Sequence, residues 1–591
     1  MQNITNKKLV IVFLLLIISG AAAFVSWLYL SQSKTLSQIN KASKRTIAAT
    51  STLDKTVKKT TTVSSTFKFG TGTTTFDLID KDYEDKKIDF ETSLLYKVYY
   101  AFGDNRFPSQ YNSTSSLFEA TGVFMEIKEN YNKLSENTKK LLDPFLRRPD
   151  DPASYIYQQY SKNSQAKADN NNGWNIVDQA WAADKRPKQE MDSLVTADNK
   201  IKVWFMANAS SGKKILAEYA AYELITNQAW NKFYALLGKV APPSDGNLGG
   251  DDKIDIYILG ESDFSSKVWG LAIVDVPGKS SFIIIRDDLG INNFKTTLVH
   301  ELFHVFQGAF YYDYVKNKWW TEGAAVWAEH FIYPALNSEQ ARIDAFMPKP
   351  ELKLTKVGNS HEYGAYLFPY YLAQKYGNDI IRQIYKFSEI SGDGLAIYSI
   401  NSIVKGGLQT NWPEFTLWNY NNTPANYYKD DGGFPDGKTH SSALGVETKW
   451  INIDLKKAST QKIKVDALQP LSARVMEFFN MAGSKIKRID FKNLNNFNRA
   501  GGQAIKAIIY TKNSSYIEDW TNIAGRKFCL SDSKDNFERV VLIFSNYLVE
   551  NKGKNTNITV AASDSCEEEK KPSTVYILSA RDERKAIDAK F

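Results

Sequence analysis

Two of the five histidines in this 591-residue chain, His300 and His304, lie four residues apart with Glu301 between them. In a helix, this spacing places both imidazoles on one face, about one turn apart, where their nitrogens can reach one metal ion. An apolar residue recurs at every fourth position from Phe294 to Phe306, which is typical of a helix with a buried stripe. The sequence therefore predicts one helix that carries both a packing face and a pair of metal ligands.

A catalytic zinc site needs a third protein ligand and one open position. Seventeen residues, 305 to 321, separate His304 from Glu322, which begins an apolar, alanine-rich segment. A glutamate at this distance can return to the metal across a helix–loop–helix. Glu301, next to the first histidine, is placed to accept a proton from a water at the metal. We therefore expect one Zn²⁺ per chain, held by His300, His304 and Glu322, with Glu301 as the general base.

The stretch of roughly residues 295 to 330 resembles the gluzincin metallopeptidases, which carry His-Glu-x-x-His followed by Trp-x-x-Glu-Gly-x-Ala. Its sequence motif is most similar to that of the aminopeptidase branch. The resemblance implies a zincin-like catalytic domain in which Glu322 is the third ligand and Glu301 the base. It also implies that Glu329, seven positions after Glu322, supports the site by holding a ligand histidine.

Two departures from the aminopeptidase branch bear on the substrate. That branch usually has eighteen residues between the second histidine and the ligand glutamate, whereas this chain has seventeen. Those enzymes also carry Gly-x-Met-Glu-Asn, whose glutamate binds the free amine of the substrate, ahead of a Trp-Gly-Leu. Here Lys267 stands at that position, before Trp269. A positive charge cannot hold an ammonium group, so the sequence favours an endopeptidase.

Residues 361 to 377 resemble the same family more weakly and supply a candidate side chain for stabilising an oxyanion. In the resembling family a tyrosine shortly before a glycine, at the start of a later helix, plays this part. Tyr363 precedes Gly364 in this way, with His361 and Tyr366 as substitutes. The alternative is that these residues only begin a packed helix, since the chain has 32 tyrosines.

The first residues of the chain predict a membrane anchor. An apolar run from Leu9 to Leu30 follows two lysines and is long enough to span a bilayer, so residues 1–30 are expected to be a transmembrane signal-anchor. Cleavage after Ala23 would instead give a secreted protein, but it would leave an apolar new terminus. Basic residues after the run outnumber those before it, which opposes the orientation that the short leader favours. We expect a single-pass protein of the cell membrane with the catalytic domain outside the cytoplasm.

The composition and hydrophobic periodicity of the rest of the chain divide it into segments and predict an α+β fold. Residues 31–67 are rich in Ser, Thr and Lys and predict a flexible stalk. Residues 68–165 predict a helical module, either for packing or as a cover over the cleft. Residues 166–440 contain both strand and helix patterns and are expected to form the catalytic domain. In residues 441–566 apolar and polar residues alternate with period two, which predicts a β-sandwich accessory domain. A charged tail, 567–591, ends the chain.

Two further features are candidate sites. The acidic run from Asp245 to Asp255 could bind Ca²⁺, but its spacing departs from the EF-hand loop, and a glycine-rich turn into a strand is the favoured interpretation. Cys529 and Cys566 both fall in the predicted sandwich. A disulfide between them in an oxidising compartment and two free thiols are equally consistent with the sequence.

Charge and composition limit the partners. The net charge of +8 comes largely from the predicted stalk, and no interleaved basic and aromatic residues indicate nucleic-acid binding. The expected partners are a peptide or protein substrate and a membrane; the oligomeric state stays open. Two alternatives to a peptidase remain, namely an inactive surface adhesion protein on a peptidase scaffold and a zinc amidase acting on cell-wall peptide.

Overall fold

A computed structural model describes the chain over thirteen ranges. These are residues 73–113, 119–159, 191–206, 211–226, 228–260, 264, 268–276, 278–310, 313–391, 394–429, 451–452, 460–480 and 485–567. The predicted anchor, the predicted stalk, Lys267 and nearly all of the predicted tail lie outside them. Within these ranges, no helix combines the length and the apolar character that a membrane crossing requires.

The described part of the chain is mixed α and β, which confirms the α+β class. Its α-helices are α1 (Thr75–Glu84), α2 (Phe90–Phe102), α3 (Thr121–Asn130), α4 (Glu136–Leu146), α5 (Ser211–Thr226), α6 (Ala229–Leu236), α7 (Ile291–Gln307), α8 (Tyr314–Ile332), α9 (His361–Gly364), α10 (Leu367–Tyr376), α11 (Asp379–Ser391), α12 (Ala396–Ile403) and α13 (Gly407–Trp418). Its strands are β1 (Met191–Val195), β2 (Ile201–Met206), β3 (Ile254–Leu259), β4 (Gly270–Val274), β5 (Ser281–Arg286), β6 (Ile451–Asn452), β7 (Thr460–Val465), β8 (Ser472–Phe479), β9 (Arg488–Lys492), β10 (Gln503–Thr511), β11 (Ser515–Asp519), β12 (Gly525–Cys529), β13 (Phe537–Asn546) and β14 (Thr556–Ser563).

A five-stranded mixed sheet with the order β1-β2-β3-β5-β4 lies in the range predicted to be the catalytic domain. Strands β2, β3 and β5 are parallel, whereas β1 and β4 are antiparallel to their neighbours. Every residue of β3, β4 and β5 is buried. Strands that are buried on both faces read as continuous apolar runs, which is why this part of the sequence lacks alternation.

Helices cover both faces of this sheet. Along β5, Ile283 and Ile285 pack with the apolar stripe of α7, while Phe282 and Ile284 pack with α1 to α4 on the other side. Successive side chains of a strand point to opposite faces, so each strand contributes to two cores. The N-terminal helices therefore cover the second face of the five-stranded sheet and share its core.

A buried arginine ties this module to the sheet. Arg148, just after α4, lies 2.8 Å from Asp245, 3.0 Å from Asp255 and 2.6 Å from Asp275. Burial raises the pKa of both Asp245 and Asp255 to about 6. The acidic run considered for calcium thus has two of its carboxylates on the guanidinium of Arg148, and Asp251 in the same run pairs with lysines.

The C-terminal part consists of two sheets around one core, in which the strands pair antiparallel except for the short parallel pair of β6 and β8. Their strand orders are β11-β10-β13-β8-β6 and β12-β9-β14-β7, and aromatic residues of both, such as Phe478 and Phe491, meet between them. The outer face of the first sheet packs against α13 through Val541, Ile543 and Leu417. This sandwich is thus joined to the catalytic region by an apolar interface.

Both cysteines are free thiols in the structure, and they are neighbours. Cys529 ends β12, and Cys566 follows β14 in the same sheet. A hydrogen bond with Cys566 is the largest cause that raises the pKa of the Cys529 thiol. Cys566 Sγ also lies 3.1 Å from the carbonyl oxygen of Lys487. The two positions predicted as a possible disulfide are therefore close enough to interact as thiols.

We expect Arg148→Met to lower the free energy of unfolding by about 3–5 kcal/mol, because it leaves buried carboxylates without their cation. The loss should shrink between about pH 7 and about pH 5, because the guanidinium lowers the pKa of both carboxyl groups and its removal raises them further, so that the folded variant takes up more protons there than the folded unmodified chain does. Urea unfolding of the full chain at both pH values measures this. The matched control is Arg147→Met, since Arg147 pairs with exposed Asp143 and Asp151 and should cost less than about 1 kcal/mol. Equal losses for the two variants would contradict the assignment.

Mild oxidation with oxidised glutathione should join Cys529 to Cys566, because the two thiols already interact. The bridge would close a loop of 36 intervening residues and stabilise the chain by about 3–4 kcal/mol through the entropy of the unfolded state. Thiol titration and thermal unfolding before and after oxidation measure both effects, with Cys529→Ser as the control that should gain nothing. Two thiols still titrating after oxidation would refute the prediction.

Candidate metal centre

Helix α7 presents the two histidines, and α8 packs against it to bring in the glutamate. His300, His304 and Glu322 are fully buried, with no exposed side-chain surface. Gly323 allows α8 to approach the chain after α9, because a Cβ there would lie 3.2 Å from backbone atoms of Ala365 and Tyr366. The three residues predicted as zinc ligands therefore converge on one point in the core.

The separations of the three ligand atoms match a tetrahedral metal. His300 Nε2 and His304 Nε2 are 3.1 Å apart. Glu322 Oε2 lies 3.3 Å from His304 Nε2 and 3.6 Å from His300 Nε2. Tetrahedral ligands at about 2.0–2.1 Å from a zinc ion are about 3.3–3.4 Å from one another. The triangle thus has the size that zinc requires.

Hydrogen bonds on the far side of each imidazole fix its tautomer. His300 Nδ1 donates to Glu329 Oε1 at 2.9 Å, and His304 Nδ1 donates to Gln307 Oε1 at 2.7 Å. The amide nitrogen of Gln307 donates to the Thr321 carbonyl, so its oxygen must face His304. When both rings are neutral, these bonds leave both Nε2 atoms without a hydrogen, 3.1 Å apart, and a cation between them would stabilise that arrangement.

Glu329 is held in place by two groups besides His300. Arg342 lies 3.1 Å from its Oε1, and Ser338 Oγ donates to its Oε2 at 2.8 Å. Burial acts to raise the pKa of Glu329, but the charge of Arg342 and the bond from His300 outweigh it and hold the pKa below its usual range. The residue predicted to hold a ligand histidine is thus an anchored anion on His300.

The two oxygens of Glu322 have different surroundings. Oε1 accepts a hydrogen bond from Tyr314 Oη at 2.5 Å. Oε2 is buried without a hydrogen-bond donor among the described residues and faces the histidine nitrogens. Although burial acts to raise its pKa, the nearby His304 and His300 hold the pKa of Glu322 below its usual range. An ionised oxygen without a donor is what a metal ligand would present.

Glu301 lies between the metal ligands and the edge strand. Its Oε2 accepts from Thr121 Oγ1 at 2.7 Å, and its Oε1 is buried without a donor in the described part of the chain. Burial raises the pKa of Glu301 to about 7, which suits a proton acceptor near neutral pH. A Cβ on Gly270 would lie 2.6 Å from Thr297 Cγ2 and 3.3 Å from Glu301 Cγ, so only glycine lets β4 pass this close.

Tyr363 reaches the site, where its hydroxyl donates to the carboxylate of Glu119. Oxygen atoms of Glu119 and Glu301 and a nitrogen of His304 all lie within 4.8 Å of one another. Glu119 precedes α3, and its carboxylate accepts from the Thr121 backbone as well. The N-terminal module therefore contributes an acidic residue directly beside the predicted metal position.

His361 and Tyr366, the predicted substitutes for Tyr363, have other surroundings. The two ring nitrogens of His361 lie 3.3 Å and 3.0 Å from the carbonyl oxygens of Ala345 and Lys353. Burial lowers the pKa of His361 to about 4, so it is neutral at physiological pH. His361 is not among the convergent ligand groups found in the described ranges, and the Tyr366 hydroxyl is buried there without a hydrogen-bond partner among the described residues. His361 is therefore packed in the protein interior, and its ring nitrogens face backbone carbonyl oxygens.

Sequence reasoning missed several residues of this site. Gln307 could have been found, because it lies one turn after His304 on the same helix. Tyr314 and Arg342 carry no signal beyond their residue type. Glu119 and Thr121 lie about 180 residues before the histidines and belong to a segment with no motif.

Comparison with known proteins bears on part of this site. Residues 280–408 match a protein family described as a family of unknown function, DUF6055. The matched stretch contains α7, α8 and α9, and so the two histidines, Glu301, Glu322 and Glu329; Glu119 lies outside it. No curated protein matches the chain.

Proposed function

We propose that this chain is a zinc-dependent peptide-bond hydrolase with endopeptidase specificity. The observation that carries the proposal is the buried triangle of His300, His304 and Glu322, with its zinc-sized separations and with Glu301 beside it. The resemblance of residues 295 to 330 to gluzincin peptidases supports the same assignment. The intact ligand set and base weigh against an inactive adhesion scaffold.

Each residue near the triangle has a part in the proposed hydrolysis. A zinc ion held by the three ligands would supply a Lewis acid that polarises the substrate carbonyl and makes water more acidic. Glu301 accepts a proton from water as the water oxygen bonds to the carbonyl carbon, and it returns that proton to the leaving amine when the C–N bond breaks. Tyr363 is placed to donate a hydrogen bond to the carbonyl oxygen as negative charge develops there.

The edge strand β4 gives a peptide a place to bind. It pairs on one side with β5 and is the last strand of the sheet. The backbone N–H of Ala272 points away from β5 toward Thr121, so that edge can donate to an extended chain. Peptides commonly add to a sheet edge in this way, and β4 runs directly over Glu301 through Gly270. This geometry favours a substrate bound in mid-chain.

The location of the reaction is part of the proposal. The apolar run from Leu9 to Leu30 supports a single membrane anchor, with the hydrolase outside the cytoplasm. A cell-wall peptide amide is an alternative substrate of the same chemistry. A cleavage profile on a peptide library, with and without a chelator, distinguishes the two, because an amidase would leave ordinary peptides intact.

The two glutamates of α8 should differ in their effect on metal binding. Glu322→Ala should lower the zinc content sharply, because it removes a ligand oxygen from the triangle. Glu329→Ala should keep most of the zinc and lose about 10–100-fold in affinity, because it only frees the ring of His300. Elemental analysis and chelator competition measure both, with the exposed Glu351→Ala as control. Unchanged affinity in Glu322→Ala together with loss in Glu329→Ala would reverse the two roles.

Glu301→Gln should keep the zinc and lose about 10²-fold or more in peptide hydrolysis. Glutamine keeps the shape of the side chain and an oxygen for the bond from Thr121, but it cannot accept the proton of water. Rates are compared at equal zinc content on fluorogenic peptides. Near-normal hydrolysis by this variant would exclude Glu301 as the base.

A further inference from the structure

The hydroxyl of Thr121 connects the edge strand β4 to the proposed base. Thr121 is the first residue of α3 and has no exposed surface. Its Oγ1 accepts the backbone N–H of Ala272 at 2.8 Å and donates to Glu301 Oε2 at 2.7 Å. The N-terminal module, which lies outside the stretch matched by the family of unknown function, therefore contacts the base directly.

The surroundings of this hydroxyl fix the direction of its hydrogen when Glu301 is ionised. A threonine hydroxyl has one hydrogen to donate and two lone pairs that accept. The N–H of Ala272 is a donor and takes a lone pair, whereas an ionised carboxylate only accepts. The hydrogen of Thr121 therefore points to Oε2 of Glu301, in the stronger kind of hydrogen bond that an ionised acceptor forms.

The contacts of Glu301 anchor one carboxylate oxygen and leave the other available. Oε1 is buried and has no hydrogen-bond donor in the described part of the chain. The terminal torsion of a glutamate is broad, so a carboxylate without a hydrogen bond rotates readily. Gly270 of β4 lies against Cγ of Glu301, and the bond from Thr121 holds Oε2. Oε1 is thus the oxygen that remains to accept a proton.

Thr121 is itself held from two sides. Its backbone N–H donates to the carboxylate of Glu119, which also accepts from Tyr363. The next residue must be small, because a Cβ on Gly122 would lie 2.9 Å from Tyr314 Oη. The start of α3 is thus packed closely against α8, and the hydroxyl of Thr121 is fixed by backbone as well as side-chain contacts.

We propose that Thr121 is a positioning residue for Glu301: its hydroxyl sets the rotation of the carboxylate and so presents Oε1 to the water. This inference rests on the proposed function. It extends that function, since the base would depend on a residue of the N-terminal module, 180 positions before it in the chain. A group that accepts a proton must lie within hydrogen-bond reach of it, and a displacement of about 1 Å can cost about 10²-fold in rate.

The test compares substitutions of Thr121 in the full, zinc-loaded chain. Thr121→Val keeps the shape and removes the donor, whereas Thr121→Ser keeps the donor and removes a methyl group. Thr121→Ala differs from Thr121→Ser only in the hydroxyl oxygen, and it takes the place of Thr121→Val if that variant does not fold. The matched control is Thr138→Val on α4, because the buried hydroxyl of Thr138 accepts from Ser135 Oγ at 3.1 Å and donates to Glu91. Fluorogenic peptides report kcat and KM, chelator competition reports zinc affinity, and thermal unfolding reports stability.

In Thr121→Val, kcat and kcat/KM should fall together by about tenfold or more, because the step that moves the proton is the one affected. Thr121→Ser and Thr138→Val should retain most of the activity, and the zinc affinity should be unchanged in every variant. In the Glu301→Gln background, Thr121→Val should cause no further loss, because that background has no base to position. A loss through instability would instead appear in both backgrounds.

A rate for Thr121→Val equal to that of the unmodified chain would overturn the proposal, as would a loss of the same size in the Glu301→Gln background. A higher rate would also overturn it, because Thr121 would then compete with the peptide for the N–H of Ala272. So would a loss of zinc affinity, since Thr121 would then act on the metal centre and not on the base. Each of these results leaves the proposed function standing. If the unmodified, zinc-loaded chain cleaves no peptide, the proposed function fails and the positioning role fails with it.

Discussion

The structure of the site depends on two imidazole nitrogens that face each other at 3.1 Å. Lone pairs at that distance repel, so the helices around them must hold the rings in place from behind. Glu329 and Gln307 do this, and each is itself fixed by other elements: Glu329 by Arg342, Gln307 by Tyr385 of α11 at 2.8 Å. The arrangement of α7, α8 and α11 thus holds the residues of the candidate metal centre in place through buried hydrogen bonds.

The second constraint is a sheet that is covered on both faces. Because β3, β4 and β5 are wholly buried, helices must pack against each side of them, and the N-terminal helices supply the second layer. That layer begins at the edge strand, beside Glu301, and α3 packs on both β4 and α8. The N-terminal module can therefore place Glu119 and Thr121 beside Glu301, which a tethered domain could do only by ordering a long linker.

The sequence predicted those parts of the site that are close along the chain. His300, Glu301 and His304 lie on one helix, and Glu322 lies on the next helix, after one connecting loop. Their spacing in the sequence therefore indicated that they converge. Glu119 could not be predicted, because an apolar pattern shows which face of a helix is buried and not which surface covers it. The surroundings of His361 could not be predicted for a related reason: α9 is only four residues long, so the position of His361 in the chain does not determine which side of the helix faces the candidate site. The sheet edge β4 has no period-two alternation, since all five of its residues are buried.

The residues at the start of α3 and the rest of this helix are held by different kinds of contact. Val123, Phe124 and Ile127 are buried in the apolar core, and burying such side chains contributes about 1.5–3 kcal/mol each. Glu119 and Thr121 are held instead by hydrogen bonds to the edge strand, the base and Tyr363. Displacing Glu119 and Thr121 would therefore break hydrogen bonds, whose net contribution to stability is about 0.5–1.5 kcal/mol each, and would remove little apolar packing. The start of α3 is thus the part of the helix that can open locally at the lowest cost in free energy.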